Sequence, residues 1–232
     1  MSASASASGW AVRLHGACDW VLWVMTINVL WYLFTLAGAI VLGAAPATVA
    51  AAELTRRKLR GESFPIFRTF ASAWRREFWR TNAVFAPVSI LLVILGLNAG
   101  GFAEAGLLGT LPGVATVVAF VLTFALGAVA VTMYVHYDLP LRAYLLTASR
   151  WMIRNLAHVL LLLLAATLIV VASLVVPGLI PFVSLGAWLT ISTALCVAFF
   201  TANDRHVSEL TDAATSAASA HIASPAVLSS AR

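Results

Sequence analysis

The chain has 232 residues, of which 62% are hydrophobic and only 10% are charged, and its mean hydropathy is +0.96. Soluble domains carry charge on about a quarter of their residues, so this composition excludes an ordinary soluble domain and indicates an integral membrane protein. The formal net charge is +5. Because the arginines lie beside apolar segments, we attribute this charge to membrane orientation and expect no nucleic-acid partner.

Residues at the two ends of the chain are rich in Ser and Ala. We predict that 1–19 form a disordered and interfacial N-terminal segment, with disorder over 1–9, because too few apolar residues are present to pack. Residues 203–232 are predicted to be a cytoplasmic tail that is helical only at its start. The transmembrane domain is expected to fill 20–202.

Five apolar segments between these ends predict membrane-spanning helices, since roughly 20 apolar residues cross a bilayer. The predicted fold is all-α, a five-span helical transmembrane bundle with a cytoplasmic helical elbow between spans one and two. The elbow covers residues 43–82. The predicted spans cover residues 20–42, 83–97, 113–135, 156–176 and 181–200.

The first half of the elbow begins with a break at 43–46, where Pro46 suits the first turn of a new helix. That helix is predicted over 47–59, and its last turn is basic, which complements the helix dipole. Glu53 is expected to pair with Arg57, four residues further along.

The second half of the elbow has the clearest helical periodicity in the chain. Its aromatic residues fall on one face, and its arginines lie on the other side. This pattern predicts a helix lying in the membrane interface. The alternative is an amphipathic helix that packs on the protein's own core. The aromatic face consists of Phe64, Phe67, Phe70, Ala71, Trp74 and Phe78.

Basic residues are distributed asymmetrically along the chain. Thirteen of the 14 lie in the elbow, in the polar connection at 136–155 or in the tail, and Arg13 is the exception. The positive-inside rule therefore predicts a cytoplasmic elbow, an external N-terminus and a cytoplasmic C-terminus. Cys18 and Cys196 would then lie near opposite faces of the membrane, too far apart for a disulfide.

The sequence contains no Walker A, GxSxG, HExxH or CxxC motif. No ionisable side chain lies in the middle of a span except His158, near the start of the fourth, which argues against an ion-coupled carrier. We interpret His136 and Asp138 as an interfacial polar pair rather than a metal site. We therefore predict that the protein is not an enzyme and has no cofactor. Asn28 is expected to make an interhelical hydrogen bond.

Four segments of the chain resemble the YesL family, which comprises small bacterial integral membrane proteins of unknown function. The resemblance is most specific over 20–82, and it implies a multi-pass protein of the bacterial plasma membrane, often encoded beside carbohydrate ABC importers. The segments are Asn28-Val29-Leu30-Trp31, Gly43-Ala44-Ala45-Pro46-Ala47-Thr48, Phe67-Arg68-Thr69-Phe70 and Trp74-Arg75-Arg76-Glu77-Phe78. The motif residues taken as structural are Asn28, Trp31, Gly43, Pro46, Ala47 and Phe70.

From these features we predict a non-catalytic accessory or interaction partner of a carbohydrate ABC import system, contacting its permease or ATPase subunits. The alternative is a stand-alone small-molecule facilitator or exporter. A membrane-embedded hydrolase or transferase is disfavoured, and the oligomeric state stays open. The basic residues of the elbow are the candidate contacts, either to a partner or to the lipid bilayer. They are Arg56, Arg57, Lys58, Arg68, Arg76 and Arg80.

Overall fold

A computed structural model describes the backbone of residues 3–229 and the side chains of Trp10, residues 13–213 and Thr215. Within this range the secondary structure consists of seven α-helices and one π-helical turn, which confirms the all-α prediction. The α-helices are α1 (Ala3–Ala37), α2 (Val41–Leu59), α3 (Ile66–Glu104), α4 (Leu111–His136), α5 (Tyr144–Arg154), α6 (Leu156–Val175) and α7 (Leu185–Ser229), and the π-helical turn is Ile180–Ser184.

Five helical segments are long and apolar enough to cross a membrane, which confirms the predicted number of apolar spans. The protein is therefore a multi-pass membrane protein. Large apolar side chains such as Leu97 and Leu174 are exposed on these helices, as lipid-facing positions require. The segments are Arg13–Ala37, Ile66–Glu104, Leu111–His136, Leu156–Val175 and Ile180–Ala213.

The chain divides into two compact units, Met1–Cys196 and Val197–Arg232. The first contains the helical bundle, and the second continues α7 as helix through Ser229. The prediction that the tail is helical only at its start is therefore wrong. Helix α1 begins at Ala3, so the predicted disorder is also wrong for 3–9, while Met1 and Ser2 lie outside the described residues. Both segments are rich in alanine, which has the highest helix propensity.

Helices α1 and α2 form an antiparallel hairpin. The indole Nε1 of Trp31 donates to the hydroxyl of Thr48 at 2.9 Å. The turn lies at Gly38–Ile40, so the prediction of a break at 43–46 is wrong. Gly43 is instead required for close helix packing, because a Cβ there would lie 2.4 Å from the carbonyl oxygen of Thr35.

Pro46 lies inside α2, which begins five residues earlier at Val41, so its predicted place in the first turn is also wrong. Proline has no N–H to donate to the carbonyl four residues before it, which here is that of Leu42. The side-chain Nδ2 of Asn82 in α3 donates to that carbonyl oxygen at 2.9 Å. Helix α3 therefore supplies the hydrogen bond that the proline removes from α2.

Helix α2 is largely buried between α1 and the first half of α3. Alanine side chains let the three helices approach closely, and Ala47 and Ala51 are inaccessible to solvent. The apolar core joins all three helices. It contains Trp23, Ile27 and Leu30 of α1, Ala47, Ala50, Ala51 and Leu54 of α2, and Phe70 and Ala73 of α3.

Helix α3 is continuous from Ile66 to Glu104, so the predicted elbow helix and the second span form one helix. Its aromatic face packs inside the protein, where the ring of Phe34 lies 5.0 Å from that of Phe70 and 5.5 Å from that of Trp74. The prediction of a separate interfacial helix is therefore wrong, and the core-packing alternative describes most of this face. Phe67 remains largely exposed.

Asn28 links α1 to the start of the last span, as predicted for an interhelical hydrogen bond. Its side chain is fully buried. The Nδ2 group donates to the carbonyl oxygen of Pro181 at 2.6 Å, and Oδ1 accepts from the backbone N–H of Gly186 at 2.9 Å. One side chain thus satisfies two backbone groups at the irregular π-helical turn.

The end of α2 lies beside the beginning of the first span. Lys58 forms an ion pair with Asp19 at 2.7 Å, and its ammonium group lies over the rings of Trp20 and Trp23. This contact disagrees with the predicted arrangement, in which residue 19 lies outside and the elbow inside. A bilayer core about 30 Å thick cannot separate two residues that form an ion pair.

Candidate functional site

A polar cleft lies where the end of α2, the first half of α3 and the end of α4 meet. We call it the arginine cleft. It has a volume of about 370 Å³ and contains four guanidinium groups and three carboxylates. It is lined by Val49, Glu53, Arg56, Arg57, Arg60, Glu62, Arg76, Glu77, Tyr134 and Val135.

The last turns of α2 place several charged groups in the cleft, because residues three or four apart share a helix face. The helix then ends in a Schellman motif. The N–H of Gly61 donates to the carbonyl of Lys58 at 2.9 Å, and the N–H of Glu62 donates to that of Arg57 at 3.2 Å. Gly61 has a φ of 75°, which favours glycine, and this turn brings Glu62 back toward the cleft.

Glu62 joins two arginines of α2. Its carboxylate accepts from Nε of Arg57 at 2.8 Å and from Nε of Arg60 at 2.7 Å. The hydrogen bond from Arg57 lowers the pKa of Glu62 below its ordinary value, and the Arg60 guanidinium lowers it further. Glu62 therefore remains an anion at neutral pH, although it lies at an exposed turn.

Arg76 joins α2 to α3. Its guanidinium lies 2.8 Å from a carboxylate oxygen of Glu53 and 2.8 Å from one of Glu77. Glu53 therefore pairs with Arg76 and not with Arg57, so that prediction is wrong. The hydroxyl of Tyr134 in α4 donates to the other oxygen of Glu77 at 2.6 Å. These two partners satisfy a carboxylate that is only 9% exposed.

Arg56 has a different environment from the other arginines of the cleft. Its guanidinium donates to the backbone carbonyl of Val135 at the end of α4. Among the described residues, no carboxylate lies within ion-pair distance of it. Burial lowers the pKa of Arg56, and the neighbouring charge of Arg60 lowers it further. The cleft thus contains one guanidinium without a direct counter-ion.

A second polar cavity, of about 260 Å³, shares Glu77 and Tyr134 with the arginine cleft. His136 and Asp138, which the sequence marked as an interfacial polar pair, both line it. In the part of the chain that the structure describes, no group of three or more His, Cys, Asp or Glu residues could hold a metal ion. Val135 is also common to the two cavities, and Arg80 of α3 lines the second one.

The predicted contact residues of the elbow separate into three groups. Arg56, Arg57 and Arg76 line the arginine cleft, and Lys58 binds Asp19. The remaining two lie on the outward side of α3, which we call the arginine face. This exposed face consists of Arg68, Ser72, Arg75, Arg76, Trp79 and Arg80.

Five polar or charged residues of the cleft were not among the predicted contacts, namely Glu53, Arg60, Glu62, Glu77 and Tyr134. Glu77 had a signal, because it is four residues from Ala73 and Thr81 and so shares their buried face. Tyr134 lies 57 residues further along the chain, and no local pattern connects it to the elbow.

The motif residues have structural positions, and none of them lines the arginine cleft. Asn28 and Trp31 make hydrogen bonds between segments, whereas Ala47 and Phe70 belong to the apolar core. These motif residues therefore stabilise the packing of α1, α2 and α3. The arginines and carboxylates of the cleft project from α2 and α3 and from the turn between them.

A family profile described as "Protein of unknown function, DUF624" matches residues 24–99, which include the hairpin and most of α3. The chain is 33% identical over 171 residues to the uncharacterized protein YesV of Bacillus subtilis (strain 168), covering 73% of this chain and 82% of YesV. It is 25% identical over 173 residues to the uncharacterized protein YteU of the same strain, covering 74% and 78%. Uncharacterized YesL, also from this strain, is 35% identical over 78 residues, covering 33% and 37%. No solved structure matches the chain.

Proposed function

The chain belongs to the YesL-like family of unknown function, DUF624, and we propose that it is a non-catalytic accessory subunit of a carbohydrate ABC importer in the bacterial plasma membrane. The observation that supports this proposal is the arginine face of α3. Trp79 on this face is 75% exposed, and three of its arginines take part in no ion pair among the described residues. These are Arg68, Arg75 and Arg80.

The occupant of this face is an acidic surface on a permease or ATPase subunit. An interfacial anchor would direct its aromatic face toward lipid, but most of that face on α3 is used by the protein's own core. The outward side instead combines arginines with Trp79. Arginine and tryptophan are the residues most enriched in the energetic centres of protein interfaces. Arginine also binds carboxylates through two parallel hydrogen bonds.

In this proposal the basic end of α2 and the beginning of α3 face the cytoplasm, as the positive-inside rule predicts. Because α2 packs antiparallel to α1, its first residues lie toward the opposite face of the membrane. The ion pair between Lys58 and Asp19 then requires that the N-terminal end of α1 also lie on the cytoplasmic side. This arrangement replaces the predicted external N-terminus. It also removes the single exception to the charge rule, because Arg13 joins the other basic residues on the same side.

Native cysteines provide the test of sidedness, since Cys18 is exposed and Cys196 is buried. Intact cells producing the Cys196→Ala variant are treated with a membrane-impermeant maleimide, before and after permeabilisation. We expect Cys18 to react only after permeabilisation. A Gly101→Cys variant that also carries Cys18→Ala is the control for an external thiol. Reaction of Cys18 in intact cells would restore the external N-terminus.

Affinity purification from native membranes tests the accessory role. We expect importer subunits to co-purify with the parent chain and to be lost when Arg68, Arg75 and Arg80 are all replaced by Gln. The matched control replaces three other exposed arginines of the second basic connection by Gln. These are Arg142, Arg150 and Arg154. Equal recovery of the importer with both triple variants would contradict docking at the arginine face.

A second candidate function is supported by a cavity of about 280 Å³ within the bundle. Its lining is mostly apolar, but it includes the hydroxyl-bearing residues Thr48, Ser192 and Thr193. Such a cavity suits a small, weakly polar solute and therefore a stand-alone facilitator. Solute flux through liposomes that contain only the pure protein would favour this function over the accessory role.

A further inference from the structure

The charge of the arginine cleft is incompletely balanced. It contains four guanidinium groups and three carboxylates, so its formal charge is +1. Arg56 is the group without a carboxylate partner, and it is partly removed from water. A guanidinium in such surroundings gains more from an anion than an exposed one does, because water screens the attraction less.

Glu62 already places an anion against part of this site. Its carboxylate accepts hydrogen bonds from Arg57 and Arg60. Carboxylates and phosphates use the same fork-shaped geometry of arginine donors. Because Glu62 lies directly after Gly61, at an exposed turn, it can leave the arginines without disturbing the core.

We propose that the arginine cleft binds the oxyanion of a phosphate ester at Arg56, Arg57 and Arg60, and that Glu62 occupies this position when no ligand is bound. The cleft volume of about 370 Å³ falls within the range of small-ligand sites. Arg76 is already held by two carboxylates and completes the wall of the site. This inference goes beyond the accessory role and uses different residues from those of the docking test.

A phosphate ester at this position has two sources, an anionic lipid headgroup and a soluble phosphate compound. Basic pockets between helices on the cytoplasmic side are known to bind lipid headgroups. Both sources present the same chemical group, a phosphate whose oxygens carry one or two negative charges. The experiment therefore presents each source separately to the intact protein.

The measurement is the thermal unfolding midpoint of the full chain, since a ligand that binds only the folded state raises it. One series contains detergent-solubilised protein and increasing inorganic phosphate, with chloride adjusted to keep ionic strength constant. The other contains nanodiscs of phosphatidylcholine alone or mixed with phosphatidylglycerol. We expect a saturable rise in at least one series, and the series that responds identifies the source.

Three variants make the test specific. In Arg56→Gln, the same rise of the unfolding midpoint should require a ligand concentration about tenfold higher or more, because a charge-assisted hydrogen bond is lost. Glu62→Gln should strengthen it, because the internal competitor loses its charge. Arg150→Gln, exposed on α5 and outside the cleft, is the matched control and should respond like the parent.

Three outcomes would overturn the proposal. The first is the absence of a saturable response in both series. The second is a response that Arg56→Gln leaves unchanged, and the third is a response that Glu62→Gln weakens. Loss of the importer from the docking variants has no bearing on these midpoints, so failure of the two proposals can be distinguished.

Discussion

The hydrogen bond between Asn82 and the carbonyl of Leu42 gives the sharpest test of the fold. Pro46 cannot donate to this carbonyl, and the side chain of Asn82 does so from α3 at 2.9 Å. Asn82→Leu removes that donor and keeps the number and branching of the non-hydrogen side-chain atoms. In a Pro46→Ala background, residue 46 regains an N–H and can bond the carbonyl within α2. The loss of Asn82 should therefore be less costly there.

The size of the effect follows from the groups involved. Side-chain hydrogen bonds within membrane proteins contribute about 0.6 kcal/mol on average and up to about 1.7. A buried backbone carbonyl left without a partner costs about 1–3 kcal/mol. The bond to Leu42 is exposed, so the cost here lies at the lower end of that range. We therefore expect a coupling free energy of about 1 kcal/mol between positions 46 and 82. The other bond of Asn82, to the carbonyl of Phe78 at 2.7 Å, is lost in both backgrounds and cancels in the cycle.

Equilibrium unfolding of the parent, the two single variants and the double variant in mixed micelles gives this coupling directly. The conformational entropy that Pro46 removes from the unfolded chain also cancels, because it is present or absent on both sides of the comparison. If the two substitutions are additive within about 0.3 kcal/mol, the cross-helix hydrogen bond does not compensate for the proline.

Three further substitutions test the packing of the bundle by the same unfolding measurement. Gly186→Ala should strongly destabilise the protein, because its Cβ would lie 2.1 Å from the carbonyl oxygen of Val24, whereas Gly100→Ala meets no atom within 4 Å and should not. Asn28→Leu should cost about 1–3 kcal/mol for two interhelical bonds, and a cost near zero would contradict its linking role. Tyr134→Phe should cost about 1 kcal/mol through the hydrogen bond to the buried carboxylate, and unchanged stability would show that bond to be unimportant.

The apolar spans were predictable because length and hydropathy decide them locally. The third span was predicted at 113–135 and is Leu111–His136, and the fourth was predicted at 156–176 and is Leu156–Val175. Bilayer thickness alone determines the required length.

The hairpin and the elbow were less predictable, because tertiary contacts override local signals there. Gly43 suggested a break, but it lies inside a helix where a neighbouring backbone approaches. Pro46 suggested a helix start, but Asn82 supplies the missing hydrogen bond from another helix. The elbow and the second span were predicted to meet at 82–83 as separate elements, but α3 is one helix through this point and through Pro87. Membrane helices tolerate proline when neighbouring groups satisfy the freed carbonyl.

The arginine cleft was only half predictable for a related reason. Arg56, Arg57 and Arg76 stood out because charges are rare in this sequence. Arg56 contacts the carbonyl of Val135 in α4, and Arg57 pairs with Glu62 in the turn after α2. Arg76 pairs with Glu53 of α2 and with its neighbour Glu77. No helical spacing connects Val135 or Glu53 to the arginine that it contacts. Sidedness illustrates the same difficulty. Counting basic residues predicts a side for the basic end of the elbow, but it could not predict that the N-terminal end of α1 lies on the same side, which follows from the contact between Asp19 and Lys58.

The continuity of α3 has a mechanical consequence. Its 39 residues form a rod about 58 Å long at 1.5 Å per residue. The rod carries the arginine face near one end and the loop after Glu104 at the other. A tilt of about 10° displaces one end relative to the other by roughly 10 Å over this length. A subunit that binds the arginine face and tilts α3 would therefore also displace the end of α3 near Glu104, at the opposite side of the membrane.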